Sequence, residues 1–250
     1  MGSYFGYSLA SADFNGDGLD DLAIGAPMFT PMSKDHGYDK GRVYVAYQTA
    51  LHTFEIKTTI DGNLSQARFG HSLASVGDLN KDGFDDLAVG APYDGKNGAG
   101  AVYVFNGAKD GLETTPSQVI KAEDIGESGL TTFGFSLSGG GDLDQNEYPD
   151  LLIGAYASDR AVQLKGRPVV DVEATLKADP ENVNLEQSGC ALTDGTSVPC
   201  VLVSVCLQYS GQGVPKALNF TYNIKLDSER KGPPRMFLLN EEAQTEDEVK

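Results

Sequence analysis

One stretch of text returns three times in this chain. "DFNGDGLDDLAIGAP" begins at Asp13, "DLNKDGFDDLAVGAP" at Asp78 and "DLDQNEYPDLLIGAY" at Asp142, so the spacings are 65 and 64 residues. Phe-Gly precedes each copy, as Phe5-Gly6, Phe69-Gly70 and Phe133-Gly134. Gly-Ala closes each copy, as Gly25-Ala26, Gly90-Ala91 and Gly154-Ala155. A later apolar run completes the unit: "GRVYVAY" from Gly41, "GAVYVFNG" from Gly100 and "RAVQLKG" from Arg160. Self-similarity at a fixed period marks a repeat architecture, and here it constrains the fold more than any single motif does.

The repeating runs are β-type. "VYVAY" and "VYVF" are β-branched and aromatic, and turn-forming residues flank them. Glycine, at 30 of 250 residues, punctuates short apolar stretches, and helical periodicity is scarce. Each unit has room for about four short strands, the pattern of a β-propeller blade. A blade cannot bury both faces alone and needs a neighbour on each side. Three repeats are therefore expected to be part of a larger ring, and the chain to be a piece of a longer protein.

The acidic segment of each unit has the spacing of a calcium loop. Asp13, Asn15, Asp17 and Asp21 fall at positions 1, 3, 5 and 9, Gly18 at position 6, and the carbonyl of Leu19 at position 7. The second loop offers Asp78, Asn80, Asp82 and Asp86, with Gly83 at position 6 and the carbonyl of Phe84 at 7. The third offers Asp142, Asp144, Asn146 and Asp150 and the carbonyl of Tyr148, but Glu147 replaces the position-6 glycine. Alternate side chains point inward around such a turn, and oxygen-only donors favour Ca²⁺ over transition metals. Glycine suits position 6 because the turn needs a positive φ there. Glu147 predicts a weaker or reshaped third site. An EF-hand is excluded, because position 12 is Ile24, Val89 or Ile153 rather than Glu, and a strand follows instead of a helix.

Composition excludes other classes. A net charge of −17 is unsuited to a nucleic-acid backbone and suited to cations and a solvated acidic surface. "GHSLA" from Gly70 imitates the turn that carries a hydrolase nucleophile, with Ser72 in the nucleophile's place. The same place reads "GYSLA" from Gly6 and "GFSLS" from Gly134, so it is a repeat element and not a catalytic serine. His36, His52 and His71 form no spaced cluster, and Cys190, Cys200 and Cys206 lack CxxC spacing, which argues against zinc. The cysteines and two sequons, at Asn63 and Asn219, place the chain in a secreted or extracellular context, with both asparagines as glycosylation candidates.

These residues carry a family resemblance. "FGYSLASADFNGDGLDDLAIGAP" is similar to the FG-GAP repeat of integrin alpha subunits, and the likeness runs from about Ser3 to Gly166. After it, "RPVVDVEATLKADPENVNL" looks like the entry into the integrin thigh domain, with Arg167–Val169 as the linker. The resemblance implies an all-β chain: residues 1–166 as the last three blades of a seven-bladed propeller, and 167–250 as the start of an immunoglobulin-like β-sandwich. It implies a Cys190–Cys200 disulfide and leaves Cys206 for a partner beyond Lys250. The alternation in "VLVSVCLQY" fits a half-buried strand, and the polar tail "NEEAQTEDEVK" is expected to fray.

As to function, the resemblance implies a non-enzymatic adhesion receptor at the cell surface, held to the membrane by a span outside this stretch. It would pair with an integrin beta subunit and bind extracellular-matrix or cell-surface proteins. Most of the ligand site would come from earlier blades, while these blades bind calcium. The competing expectation is the accessory propeller of a secreted, calcium-dependent phospholipase, whose zinc-binding histidines would lie upstream. A free-standing calcium-dependent lectin would need a closing blade where the cysteine-bearing segment stands.

Overall fold

The computed structural model describes residues 2–31, 37–182, 184–192, 194–228, 230–232, 235–239 and 246–249. His36 and most of the polar tail from Asn240 lie outside them. The described chain is built of strands with three short 3₁₀ turns, and it divides into two compact units, Met1–Val169 and Val170–Lys250.

In the first unit each repeat becomes one antiparallel sheet. The first sheet runs β1 (Leu9–Ala12), β2 (Asp21–Ala26), β3 (Arg42–Gln48), β4 (Phe54–Asp61). The second runs β5 (Ser72–Gly77), β6 (Asp86–Ala91), β7 (Ala101–Phe105), β8 (Gln118–Lys121). The third has β9 (Phe133–Gly141), β10 (Asp150–Ala155) and β11 (Arg160–Leu164). Neighbouring sheets pack face to face. One core joins Phe14, Val43, Val45 and Tyr47 of the first sheet to Phe69, Leu87, Val89 and Phe105 of the second. A second core joins Val76, Ala88 and Val102 to Phe133, Leu151 and Ile153. Strand β6 therefore faces two cores with alternate residues, and all six of its residues are buried.

The Phe-Gly and Gly-Ala elements make the joint between sheets. Ser8 Oγ donates to the carbonyl of Gly70, and Ser72 Oγ to that of Gly134. Gly25 and Gly90 lie under these bonds: a Cβ on Gly90 would stand 2.1 Å from both the Gly134 oxygen and Ser72 Oγ. Only glycine permits that approach. Beside the joint, His71 packs between Tyr7 and Phe135, with ring centroids 4.9 and 4.6 Å away. Ser72 is thus a structural donor at a sheet junction, as its repetition indicated.

The second unit holds three two-stranded ladders. β12 (Asp171–Asp179) pairs with β15 (Leu202–Ser210), β13 (Cys190–Ala191) with β14 (Ser197–Val198), and β16 (Tyr222–Lys225) with β17 (Glu246–Val249). Along β15, Val205, Leu207 and Tyr209 are half-buried, while Ser204, Cys206 and Gln208 are exposed. Cys190 and Cys200 form a disulfide, and Cys206 is a free, exposed thiol. Residues 246–249 of the tail expected to fray are paired in β17.

Candidate metal loops

Each acidic segment connects the first two strands of its sheet, and all three share one hydrogen-bond scheme. Position 1 accepts the amides of positions 5 and 6. Asp13 takes Asp17 N–H at 3.1 Å and Gly18 N–H at 2.7 Å. Asp78 takes Asp82 at 3.0 Å and Gly83 at 2.8 Å, and Asp142 takes Asn146 at 3.2 Å and Glu147 at 2.8 Å. Position 5 accepts the amide of position 7: Asp17 from Leu19, Asp82 from Phe84, Asn146 from Tyr148. Amides that converge on an oxygen favour its ionised form and hold it in place. Against the desolvation that opposes it, the amides of residues 144–147 hold the Asp142 carboxyl below the usual carboxylate range.

Position 9 is the buried anchor. Asp21, Asp86 and Asp150 are at most 2% exposed. Each accepts the amide of position 2 on one oxygen: Phe14 at 3.2 Å, Leu79 at 2.9 Å and Leu143 at 3.1 Å. The other oxygen accepts an amide at the end of the third strand: Gln48 at 3.0 Å, Gly107 at 2.9 Å and Gly166 at 2.9 Å. One aspartate thus ties both ends of its loop to the sheet. Burial, only partly offset by these amides, pushes the Asp21 carboxyl up to about 6 and the Asp86 carboxyl up to about 7. Asp150 also accepts from Gln163 Nε2 at 3.2 Å. A carboxylate offers about four lone-pair sites, so two donors on Asp21 and Asp86 and three on Asp150 leave room for a cation.

Two backbone positions in each loop are left-handed. Position 6 has φ of +83° at Gly18, +94° at Gly83 and +73° at Glu147. Position 4 has φ of +73° at Gly16, +61° at Lys81 and +62° at Gln145. Glu147 therefore keeps the backbone turn of its glycine counterparts. The three loops also touch in sequence, the second reaching the third through Lys81, whose ammonium lies 5.2 Å from the centre of the Tyr148 ring. The Phe84 ring covers Gly16 of the first loop, and Asp85 N–H donates to the Asp13 carbonyl at 3.2 Å.

Every donor in these loops is oxygen, the set that suits a hard divalent ion. In the third, one carboxylate oxygen each from Asp142, Asp144 and Asp150 lies within 4.8 Å of the others. The first two loops are drawn together by their own amide groups, Asn15 Nδ2 donating to Asp17 and Asn80 Nδ2 to Asp82. Sequence reading named the acidic residues but missed the amide clamps at Gln48, Gly107 and Gly166. It also missed Lys165, whose ammonium lies 3.2 Å from Asp144. The sequons place Asn63 and Asn219 at exposed positions. His71 and His52 stand far apart in role: His71 packs among aromatic rings, and His52 pairs with Gln48.

Tandem β-blades bearing oxygen-lined loops, followed by a strand-built second unit, define a protein of the FG-GAP class with an immunoglobulin-like module. The FG-GAP repeat family matches residues 5–46 and 69–105, and the integrin alpha Ig-like domain 1 family matches residues 166–249. The chain belongs to the integrin alpha family. It is 45% identical to integrin alpha-PS2 of Drosophila melanogaster, over 97% of this chain and 18% of that protein. It is 40% identical to integrin alpha-5 of Xenopus laevis and 41% identical to integrin alpha-V of Gallus gallus, in each case over 96% of this chain and 23% of the relative. The chain thus spans about a fifth of the length of these relatives.

Proposed function

We propose that this chain is the calcium-binding part of a non-enzymatic cell-adhesion receptor. Residues 1–166 would serve as three propeller blades and 167–250 as the first portion of the Ig-like module. The observation that carries the reading is the common loop scheme, repeated in register on three consecutive blades of an integrin alpha chain. Asp13, Asn15, Asp17, Asp21 and the Leu19 carbonyl would hold one ion. Asp78, Asn80, Asp82, Asp86 and the Phe84 carbonyl would hold the second, and Asp142, Asp144, Asn146, Asp150 and the Tyr148 carbonyl the third.

Bound calcium would supply positive charge where carboxylates crowd, and ion binding to the folded chain alone adds RT ln(1 + [L]/Kd) of stability. The chain's own residues do the rest. The position-1 aspartates fold the turn, and the position-9 aspartates pin it to the sheet. The aromatic rings at Phe84 and Tyr148 carry one loop's order to the next. The complete receptor would pair with a beta subunit and bind extracellular-matrix or cell-surface proteins, with its membrane span outside this stretch. Among the described residues no helix is long and apolar enough to cross a membrane. Asn63 and Asn219 would carry glycans on an extracellular surface.

The phospholipase alternative gains no support, because the stretch after Gly166 matches the integrin Ig-like family. Calorimetric titration of the chelated chain with calcium tests the proposal. The expectation is three ions per chain, and two for Asp82→Ala. Three ions bound by Asp82→Ala would remove the second loop from the assignment, and no uptake by the wild-type chain would reject the reading.

A further inference from the structure

The third loop differs from the other two in where its charges lie. All three loops carry three aspartates and one asparagine at positions 1, 3, 5 and 9. In the first two the asparagine stands at position 3 and donates to the position-5 carboxylate, at 3.2 Å from Asn15 and 2.7 Å from Asn80. In the third the order is reversed: Asp144 at position 3, Asn146 at position 5. Asn146 turns its amide away, to the Gly166 carbonyl at 2.8 Å. The place of the internal donor is taken by Lys165, 3.2 Å from Asp144.

The register makes this substitution specific. Gln48, Gly107 and Gly166 are equivalent, since each donates its amide to the position-9 aspartate of its own blade. The residue before each is Tyr47, Asn106 or Lys165, so a cation stands at this point in the third repeat alone. Among the described residues no lysine or arginine forms an ion pair with an acidic residue of the first or second loop. The third loop is also where the carboxylate oxygens converge within 4.8 Å. An ammonium can hold carboxylates together as a divalent ion does, but with one charge on a mobile stem.

We propose that Lys165 is a built-in counter-cation of the third loop, which keeps that loop assembled without a divalent ion and must leave Asp144 when one binds. Resting on the calcium reading above, this gives the three sites unequal roles. The third loop has its shape in either state and has the lowest affinity because it begins with a competitor. Nearby charges do not change the sign. Glu147 adds a carboxylate within the loop, and Lys81 of the neighbouring loop stands over the Tyr148 ring at 5.2 Å; both are the same in wild type and in a Lys165 variant.

The test uses terbium(III) as the luminescent probe. Tyr148 is in the third loop, while the same position holds Leu19 and Phe84 in the others, so the tyrosine-sensitised signal removed by Tyr148→Phe reports the third site. Lys165→Ala should bind terbium there about two- to five-fold more tightly, the scale of an exposed ion pair. Lys165→Arg should remain close to wild type, and raising the sodium chloride concentration should shrink the difference, because salt screens the pair. Equal or weaker affinity in Lys165→Ala, with terbium still bound, overturns the role of Lys165 and leaves the calcium reading standing. No terbium uptake by either protein at any loop overturns both.

Discussion

The hydroxyl of Ser72 donates to the carbonyl of Gly134 at 2.7 Å, and the hydroxyl of Ser8 donates to that of Gly70 at 2.8 Å. Each pair is 62 residues apart in the chain. A serine that looks like a nucleophile in one repeat is thereby a rivet between two sheets. Its acceptor is the glycine of the next Phe-Gly pair, and the glycine of its own Gly-Ala pair makes the space.

Gly90→Ala should be among the most damaging single-methyl additions in the first unit. The new Cβ would meet two oxygens at 2.1 Å, one of them main-chain and unable to swing away. Overpacking of this kind costs about 1–3 kcal/mol. Ser72→Ala should also destabilise, by about 1–3 kcal/mol, because the Gly134 carbonyl loses its buried donor. Urea denaturation of the first unit reads both, and an unchanged midpoint for Gly90→Ala would refute the joint.

His71 should make stability fall on mild acidification. Burial among Tyr7 and Phe135 lowers its pKa below 6.5, and the neighbouring Arg68 charge lowers it further. A depressed folded-state pKa gives stability that is present above the unfolded value and is lost as pH falls through the folded one. His71→Phe, which installs the residue type of Phe135, should remove this component below about pH 6.5 while leaving the opposite trend of the raised Asp21 and Asp86 carboxyls, whose stability is lost as pH rises through about 6 and about 7. The difference between the two melting-temperature profiles across pH 4 to 8 measures it, and parallel profiles would contradict it.

Phe14 is fully buried at position 2 of the first loop. Phe14→Ala should cost about 3–5 kcal/mol. Phe14→Leu should cost less, because leucine keeps most of the buried apolar volume and already stands at this loop position in Leu79 and Leu143. Thermal unfolding with chelator present checks the pair without contribution from bound ions.

Opening the Cys190–Cys200 disulfide should act on the second unit. It closes a loop of 10 residues in sequence separation, for which chain entropy gives about 2.7 kcal/mol. Cys190→Ser with Cys200→Ser should lower the unfolding midpoint of residues 170–250 and leave that of the blades in place. Calorimetry resolves the two transitions, and a shift confined to the blades would count against it.

The blades and loops were legible in the sequence because their determinants are local. Acidic spacing, position-6 glycine and the Gly-Ala close all lie within fifteen residues of one another. The outer strands were harder to place. β4 and β8 are mostly exposed, so Phe54–Asp61 and Gln118–Lys121 carry little burial alternation to read. Position 4 of each loop also escaped notice, because Lys81 and Gln145 adopt left-handed backbone that their side chains do not announce. Lys165 was hidden for a different reason. Its partner Asp144 lies across a strand pairing, and only the register of Gly166 with Asp150 brings the two together.

The row formed by Tyr7, His71 and Phe135 has a consequence for how such a chain diversifies. Each of these residues sits directly between the glycine and the serine that make the sheet-to-sheet joint. The joint itself uses a hydroxyl, main-chain carbonyls and bare glycine, and so it does not discriminate among the side chains standing beside it. Phenol, imidazole and phenyl rings occupy equivalent places on an unaltered framework. A ring at this one position per repeat can therefore be exchanged for another, whether exposed as at Tyr7 or buried as at His71, without renegotiating the assembly of the blades.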